Sequence, residues 1–207
     1  HPHHQPLPNG RGQLLEVMGK GEKRLLLANI YNKAAAQYSD AAMREATAIL
    51  DNAAETIEPY LTSNPNRVLV VGGDLNAPWT LGLDRHLPVQ ASPGRPGDEA
   101  ARDLLRGFAE RCGVTPIPAA AGSDPPHHAF TLRAPRAQEA PSLSPHACCT
   151  EHTDHGTKRS CPARVDYIMM PLRKHHALKG TGTLTQTAAG LDSDHSLIFV
   201  DLDRKAM

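Results

Sequence analysis

A chain of 207 residues fits one domain, because domains commonly hold on the order of 100–200 residues, and its 40% hydrophobic content is enough for a core. Lysine plus arginine and aspartate plus glutamate both total 22, so the basic excess of a protein that grips polyanions non-specifically is missing. Any nucleic-acid contact must come from a local cluster or a larger parent chain.

No apolar run approaches the roughly 18 residues of a membrane span, and no signal peptide opens the sequence, so no membrane partner is expected. Cys112, Cys148, Cys149 and Cys161 are few, and two are adjacent. That pattern is unlike a secreted disulfide framework and points to a reducing interior, with the nucleus as a compatible compartment. The first residue is His1, which reads as a piece of a longer protein carrying further domains.

In chain order, residues 1–12 are rich in proline and glycine and are expected to be irregular. Gln13–Met18 and Lys23–Tyr31 read as the two strands of a hairpin around a turn at Gly19–Glu22. The continuous apolar stretch in the second strand suits burial on both faces. Met43, Ala46, Leu50, Ala53, Ile57 and Tyr60 recur at steps of three and four, which predicts a helix over Asp40–Leu61 with Ser39 or Asp40 as its cap. Arg67–Val71 is a short β-branched strand. A second helix is predicted over Asp98–Cys112, with its stripe on Leu104, Leu105, Phe108, Ala109 and Cys112 and Gly113 placed to end it. Thr115–Pro162 reads as loop, and about 133–162 as an insertion, because so long a structureless stretch is unusual in a compact domain. Strands follow at Val165–Met170 and Leu197–Leu202, with an extended segment near Thr181–Thr187 between them. Strands and helices that alternate without repeats imply an α/β layered sandwich.

Three constellations can carry chemistry. Gly72-Gly73-Asp74-Leu75-Asn76 follows a buried strand, and in an extended chain residues two apart share a face. Asp74 would supply an acceptor for a water proton, and Asn76 a neutral donor or ligand. Alone, the pattern fits a turn capped by Asp and Asn equally well. Ser193-Asp194-His195 precedes the last strand; a histidine near neutral pKa can donate to a phosphoryl oxygen, although a lone tripeptide of this kind is more often a solvated loop. Asp166, flanked by Val165 and Tyr167-Ile168, sits where water is scarce and wants a cationic or hydrogen-bonding partner such as an imidazole. A plain salt bridge to Arg164 is the simpler alternative.

Together, in this order and each at a strand end, these stretches make the chain resemble the endonuclease/exonuclease/phosphatase superfamily, whose fold pancreatic deoxyribonuclease and apurinic-site repair endonucleases share. GGDLNAP (72–78), ARVDYIM (163–169) and SDHSLIFVDL (193–202) are similar to three of its motifs. RLLLANIYNK (24–33) resembles the strand that ends in the family's active-site tyrosine, and LGLDRH (81–86) is similar to a motif of retrotransposon-encoded endonucleases. The resemblance spans about residues 13–203 outside the insertion.

It implies a four-layer α/β sandwich of the deoxyribonuclease-like type, here lacking the first strands and helix, so that 13–207 would be a partial domain. It also implies a phosphodiesterase dependent on Mg²⁺ (or Mn²⁺), with DNA as the substrate. Asp74 would orient or deprotonate the attacking water, and Asn76 would hold that water or a phosphate oxygen. His195 would donate to the phosphate, and Asp166 would fix the imidazole. Asp194 would lie near the metal, and Tyr31 would contact the phosphate or leaving group. An inositol or lipid phosphate phosphatase of the same superfamily is the alternative, and a non-catalytic remnant that binds nucleic acid is a third.

Departures from the family pattern bear on activity. Nothing before Gln13 supplies the asparagine strand and metal-binding glutamate with which relatives begin, and Glu16 and Glu22 fall at the wrong point in the order. The isolated chain is therefore expected to be inactive or nearly so. Lys33 stands where proline is frequent, and Phe130-Thr131-Leu132 lacks the tryptophan of a related segment. His146, Cys148, Cys149, His152, His155 and Cys161 crowd together in a spacing that fits no ordinary zinc pattern. They are read as a polar insertion rather than a zinc centre.

Overall fold

The computed structural model describes residues 3–19, 24–33, 39–64, 66–79, 97–117, 166–184, 197–203 and 205–206. Its main element is a six-stranded sheet formed by β1 (His3–Pro6), β2 (Gly12–Met18), β3 (Arg24–Ile30), β4 (Arg67–Asp74), β5 (Thr115–Pro116) and β6 (Asp166–Met170), in the order β1-β2-β3-β4-β6-β5. A separate two-stranded sheet pairs β7 (Leu178–Leu184) with β8 (Leu197–Leu202).

The predicted hairpin is present: β2 and β3 run antiparallel, with Leu14 opposite Ala28 and Glu16 opposite Leu26. β3 and β4 run parallel, Leu27 beside Val70 and Asn29 beside Gly72, with helix α1 (Asp40–Ser63) as the crossover. The Ser39 hydroxyl accepts from the Ala42 amide at 3.2 Å, which satisfies one of the unpaired amides of the first turn. Helix α2 (Asp98–Cys112) ends where foreseen. Gly113 takes a left-handed φ of 65°, and its amide and that of Val114 close on the carbonyls of Glu110 and Ala109.

Alternation along the central strands decides the layers. One face presents Leu26, Ala28, Ile30, Leu69, Val71, Tyr167 and Met169 to the apolar stripes of both helices, Ile49, Leu50, Ala53 and Ile57 on α1 with Ala101, Leu105, Phe108 and Cys112 on α2. The other face carries Leu25, Leu27, Val68, Val70, Ile168 and Met170, packed with Leu178, Val200 and Leu202 of the second sheet. Strands covered on both sides must be apolar at consecutive positions, hence the unbroken runs in β3 and β4. The described residues thus form three layers of the α/β sandwich: helices, large sheet and small sheet.

Three expectations need correction. Residues 3–6 are not irregular but form an edge strand, His4 pairing with Leu15, and a 3-10 turn follows at Pro8–Gly10. Proline is tolerated in such a strand because it lies at the sheet edge. β4 runs three residues beyond the apolar stretch, to Asp74, and Thr115–Pro116 pairs with Met169 and Met170 instead of being loop. Among the described residues, no helix is long and apolar enough to cross a membrane.

Candidate active site

The site is built at the end of the large sheet where parallel β3 and β4 finish and β6 begins. Since Asn29 is level with Gly72, Tyr31 falls beside Asp74 two residues further on. On the other side of β4, Asp74 is the register partner of Asp166. Tyr31, just past the end of β3, thus continues the row that Asp74 and Asp166 form across β4 and β6. Directly opposed residues share a face, with Cβ atoms about 4.5–5.5 Å apart, so two carboxylates stand side by side. A carboxylate at the end of a strand can accept a proton from a water molecule, which is the chemistry this end of the sheet offers.

Gly73 is what allows β3 and β4 to close here. Its φ is 138°, and a Cβ on it would run into the Ile30 carbonyl group. Beyond Asp74 the chain does not continue extended, as the shared-face argument assumed. Asn76 adopts a φ of 50°, one that asparagine tolerates better than most residues, and its amide donates to Asp74 Oδ1 at 3.0 Å. The two residues come together through this turn, which is the Asp-capped turn that the sequence also allowed.

A residue that sequence reasoning missed holds the turn. Asn32 is buried. Its amide donates to the Asp74 carbonyl at 2.8 Å, its Nδ2 to the Leu75 carbonyl at 3.3 Å, and its Oδ1 accepts from the Lys33 amide at 2.9 Å. Asn76 Nδ2 returns a bond to the Asn32 carbonyl at 2.9 Å, which fixes the carboxamide in place. A second support comes from Tyr167, buried under α2, whose hydroxyl accepts from the Trp79 amide at 2.9 Å. Arg106 lies over the Trp79 ring at 5.4 Å and donates to its carbonyl at 3.1 Å. The only sequence signal for Asn32 was a carboxamide directly after an apolar strand.

Tyr31 is half exposed, with the Arg11 guanidinium 5.3 Å from its ring centre, and its amide donates to the Arg11 carbonyl at 2.7 Å. Arg11 and Lys33 both reach Glu45 on α1, Arg11 at 3.5 Å. The Lys33 hydrogen bond, outweighing desolvation, holds the Glu45 carboxyl below the ordinary carboxylate value. At the far end of the sheet, buried Glu16 is bridged by Arg67 at 2.7 Å and Arg24 at 3.3 Å. Burial works to raise that carboxyl, but the two arginines together outweigh it and leave it lowered. Glu16 is thus a structural ion pair.

Of the predicted residues, Tyr31, Asp74, Asn76 and Asp166 are brought together. His195 and Asp194 lie outside the described residues, as do Arg164, LGLDRH, Phe130–Leu132 and the cluster from His146 to Cys161. Among the described residues, no group of three or more His, Cys, Asp and Glu side chains could hold a metal ion. Mg²⁺ demands near-octahedral oxygen geometry, and Asp74 and Asp166 alone do not meet it.

No protein-family model matches the chain, and no curated protein matches it. Solved structures do. A 3′ phosphatase from Neisseria bound to a product DNA hairpin is 16% identical with a TM-score of 0.59, over 98% of this chain and 70% of its own. An AP endonuclease from Leishmania major is 13% identical with a TM-score of 0.60, over 92% of this chain and 54% of its own. The endonuclease domain of TRAS1, a telomere-specific non-LTR retrotransposon, is 14% identical with a TM-score of 0.52, over 97% and 68%. This chain thus spans between about half and 70% of the length of these proteins. With its mixed sheet and its helical layer, the chain has the α/β sandwich fold of these solved nuclease structures.

Proposed function

We propose that this chain is a nuclease-type phosphodiesterase domain that hydrolyses DNA, with retroelement-like origin and with full activity belonging to a longer chain. The observation that carries the reading is the pairing of Asp74 with Asp166 across β4 and β6, beside Tyr31 and joined to Asn76. In-line attack by water forms one P–O bond as the P–O bond to the leaving oxygen breaks. A carboxylate beside a fixed carboxamide supplies an acceptor for the water proton and a group to hold that water. Asp74 orients the water and accepts its proton, and Asn76 Oδ1 holds that water in place. His195 donates to the phosphate as charge builds on it, with Asp166 fixing the imidazole, and Tyr31 contacts the phosphate or leaving group. Nucleases among the structural neighbours, one holding a DNA product, support DNA over an inositol or lipid phosphate.

Dependence on Mg²⁺ or Mn²⁺ is part of the proposal, with Asp194 as a further carboxylate. The two described carboxylates do not suffice for an ion, and this chain alone is expected to be inactive or nearly so. The test is nicking of supercoiled plasmid with Mg²⁺, by this chain and by the natural chain that contains it, with abasic duplex and inositol phosphates in parallel. The longer chain should nick DNA, and Asp74→Ala or His195→Ala should each lower the rate about 10²–10³-fold, the usual effect of removing one stabilising group. Nicking unchanged by both substitutions, or turnover of inositol phosphates alone, would overturn the proposal.

A further inference from the structure

The described surface carries two exposed ion clusters of opposite stoichiometry. On the α1–α2 seam, Arg111 serves two acids, Asp51 at 2.9 Å and Glu58 at 3.0 Å. Beside Tyr31 the balance is reversed. One acid, Glu45, serves two cations, and each takes a different carboxylate oxygen, Arg11 on Oε1 and Lys33 on Oε2. All three side chains are about two-fifths exposed, at 37%, 41% and 40% for Arg11, Glu45 and Lys33. A carboxylate that spans two cations with its two oxygens matches a phosphodiester's two non-bridging oxygens in charge and in acceptor arrangement. Solvated ion pairs of this kind contribute little net stability, so a competing anion displaces the carboxylate cheaply. The cluster adjoins the candidate site directly: Arg11 overlies the Tyr31 ring, and Lys33 follows Asn32, which anchors Asp74.

We propose that Arg11 and Lys33 form a second phosphate subsite for the DNA strand beside the candidate active site, with Glu45 as an internal anion that a backbone phosphate displaces. The inference rests on the nuclease reading and extends it to a specific contact. It also accounts for how a chain with equal numbers of acidic and basic side chains can hold a polyanion, since the cations are kept at the site and masked until substrate arrives. Each phosphate neutralised on duplex DNA adds about 0.9 to the salt slope, which over a fourfold change in salt is about 3.5-fold in affinity. Two unmasked cations are therefore worth about tenfold at low salt.

The test is fluorescence anisotropy of a labelled DNA duplex, without divalent metal so that nothing is cleaved, across a salt series. Glu45→Gln should bind about tenfold tighter than wild type at low salt and with a steeper slope. Glu58→Gln, which makes the same change in net charge on the same helix, should not. Arg11→Ala and Lys33→Ala should each weaken binding about threefold, and adding Lys33→Ala to Glu45→Gln should cut the gain from about tenfold to about threefold. If wild type binds DNA but Glu45→Gln is no tighter than Glu58→Gln, the subsite is refuted and the nuclease reading stands. If no variant binds DNA even at low salt, both fall. Inorganic phosphate competing as well as duplex for the Glu45→Gln gain would refute the assignment to a DNA strand.

Discussion

Gly72 and Gly73 are adjacent and chemically identical, yet replacing them with alanine should have different outcomes. A Cβ at Gly72 meets nothing nearer than the Tyr167 carbonyl oxygen at 4.0 Å. At Gly73 the φ of 138° is one that alanine rarely adopts, and the Cβ would overlap the Ile30 carbonyl group, with the Ile30 amide nitrogen at 3.0 Å. Backbone strain of this kind costs about 1–3 kcal/mol, and forcing β3 and β4 apart to make room costs about 1–3 kcal/mol more. Gly73→Ala should therefore lose about 2–6 kcal/mol out of a total stability of about 5–15 kcal/mol, roughly a 10 °C fall in Tm for a domain of this size. Gly72→Ala should stay within about 1 kcal/mol of wild type. Urea unfolding followed by the single tryptophan, Trp79, measures both. Equal stability of the two variants would contradict a close approach of β3 and β4 that only glycine permits at position 73.

The ion pair at the opposite end of the sheet gives a pH prediction. Glu16 has a folded-state carboxyl below its ordinary 4.5, so its stabilisation is present above that value and is lost as pH falls through the folded one. Glu16→Gln should destabilise by about 3 kcal/mol near neutral pH, since it leaves two buried or half-buried arginines short of a partner, and its stability should decline less between neutral and acid pH; chemical denaturation at both checks this. Asn32→Ala removes the side-chain bonds to Leu75 and Lys33. It should cost about 2–3 kcal/mol, because a buried donor or acceptor left unmade costs about 1–3 kcal/mol. Amide hydrogen exchange should then show faster opening at 74–76 than in the remote α2.

Local periodicity made the hairpin, both helices and their ends legible, and the C-terminal strand with them. What it could not reveal were features set by pairing partners. β1 is rich in histidine and proline and becomes a strand only because the edge of β2 is there to pair with. β4 extends through two glycines because β3 and β6 hold it on both sides. For the site, the motifs identified Asp74, Asn76, Asp166 and Tyr31 as candidates. No sequence pattern could show that Asp74 and Asp166 sit in register, since their strands are distant in the chain. Nor could it show that Asn76 approaches Asp74 through a left-handed turn rather than along a strand. Asn32 and Glu45 were missed because their roles depend on what they meet: one a turn to be pinned, the other two cations from separate segments.

A common phosphate site needs His195 to join Asp74 and Asp166. Nuclear Overhauser spectra of isotopically labelled protein, with the His195 ring assigned through His195→Gln, measure that meeting without requiring turnover. Cross-peaks from the imidazole protons to the β-protons of both aspartates are predicted. Their absence in a folded sample, with the Trp79–Tyr167 contact intact, would contradict a common phosphate-binding site.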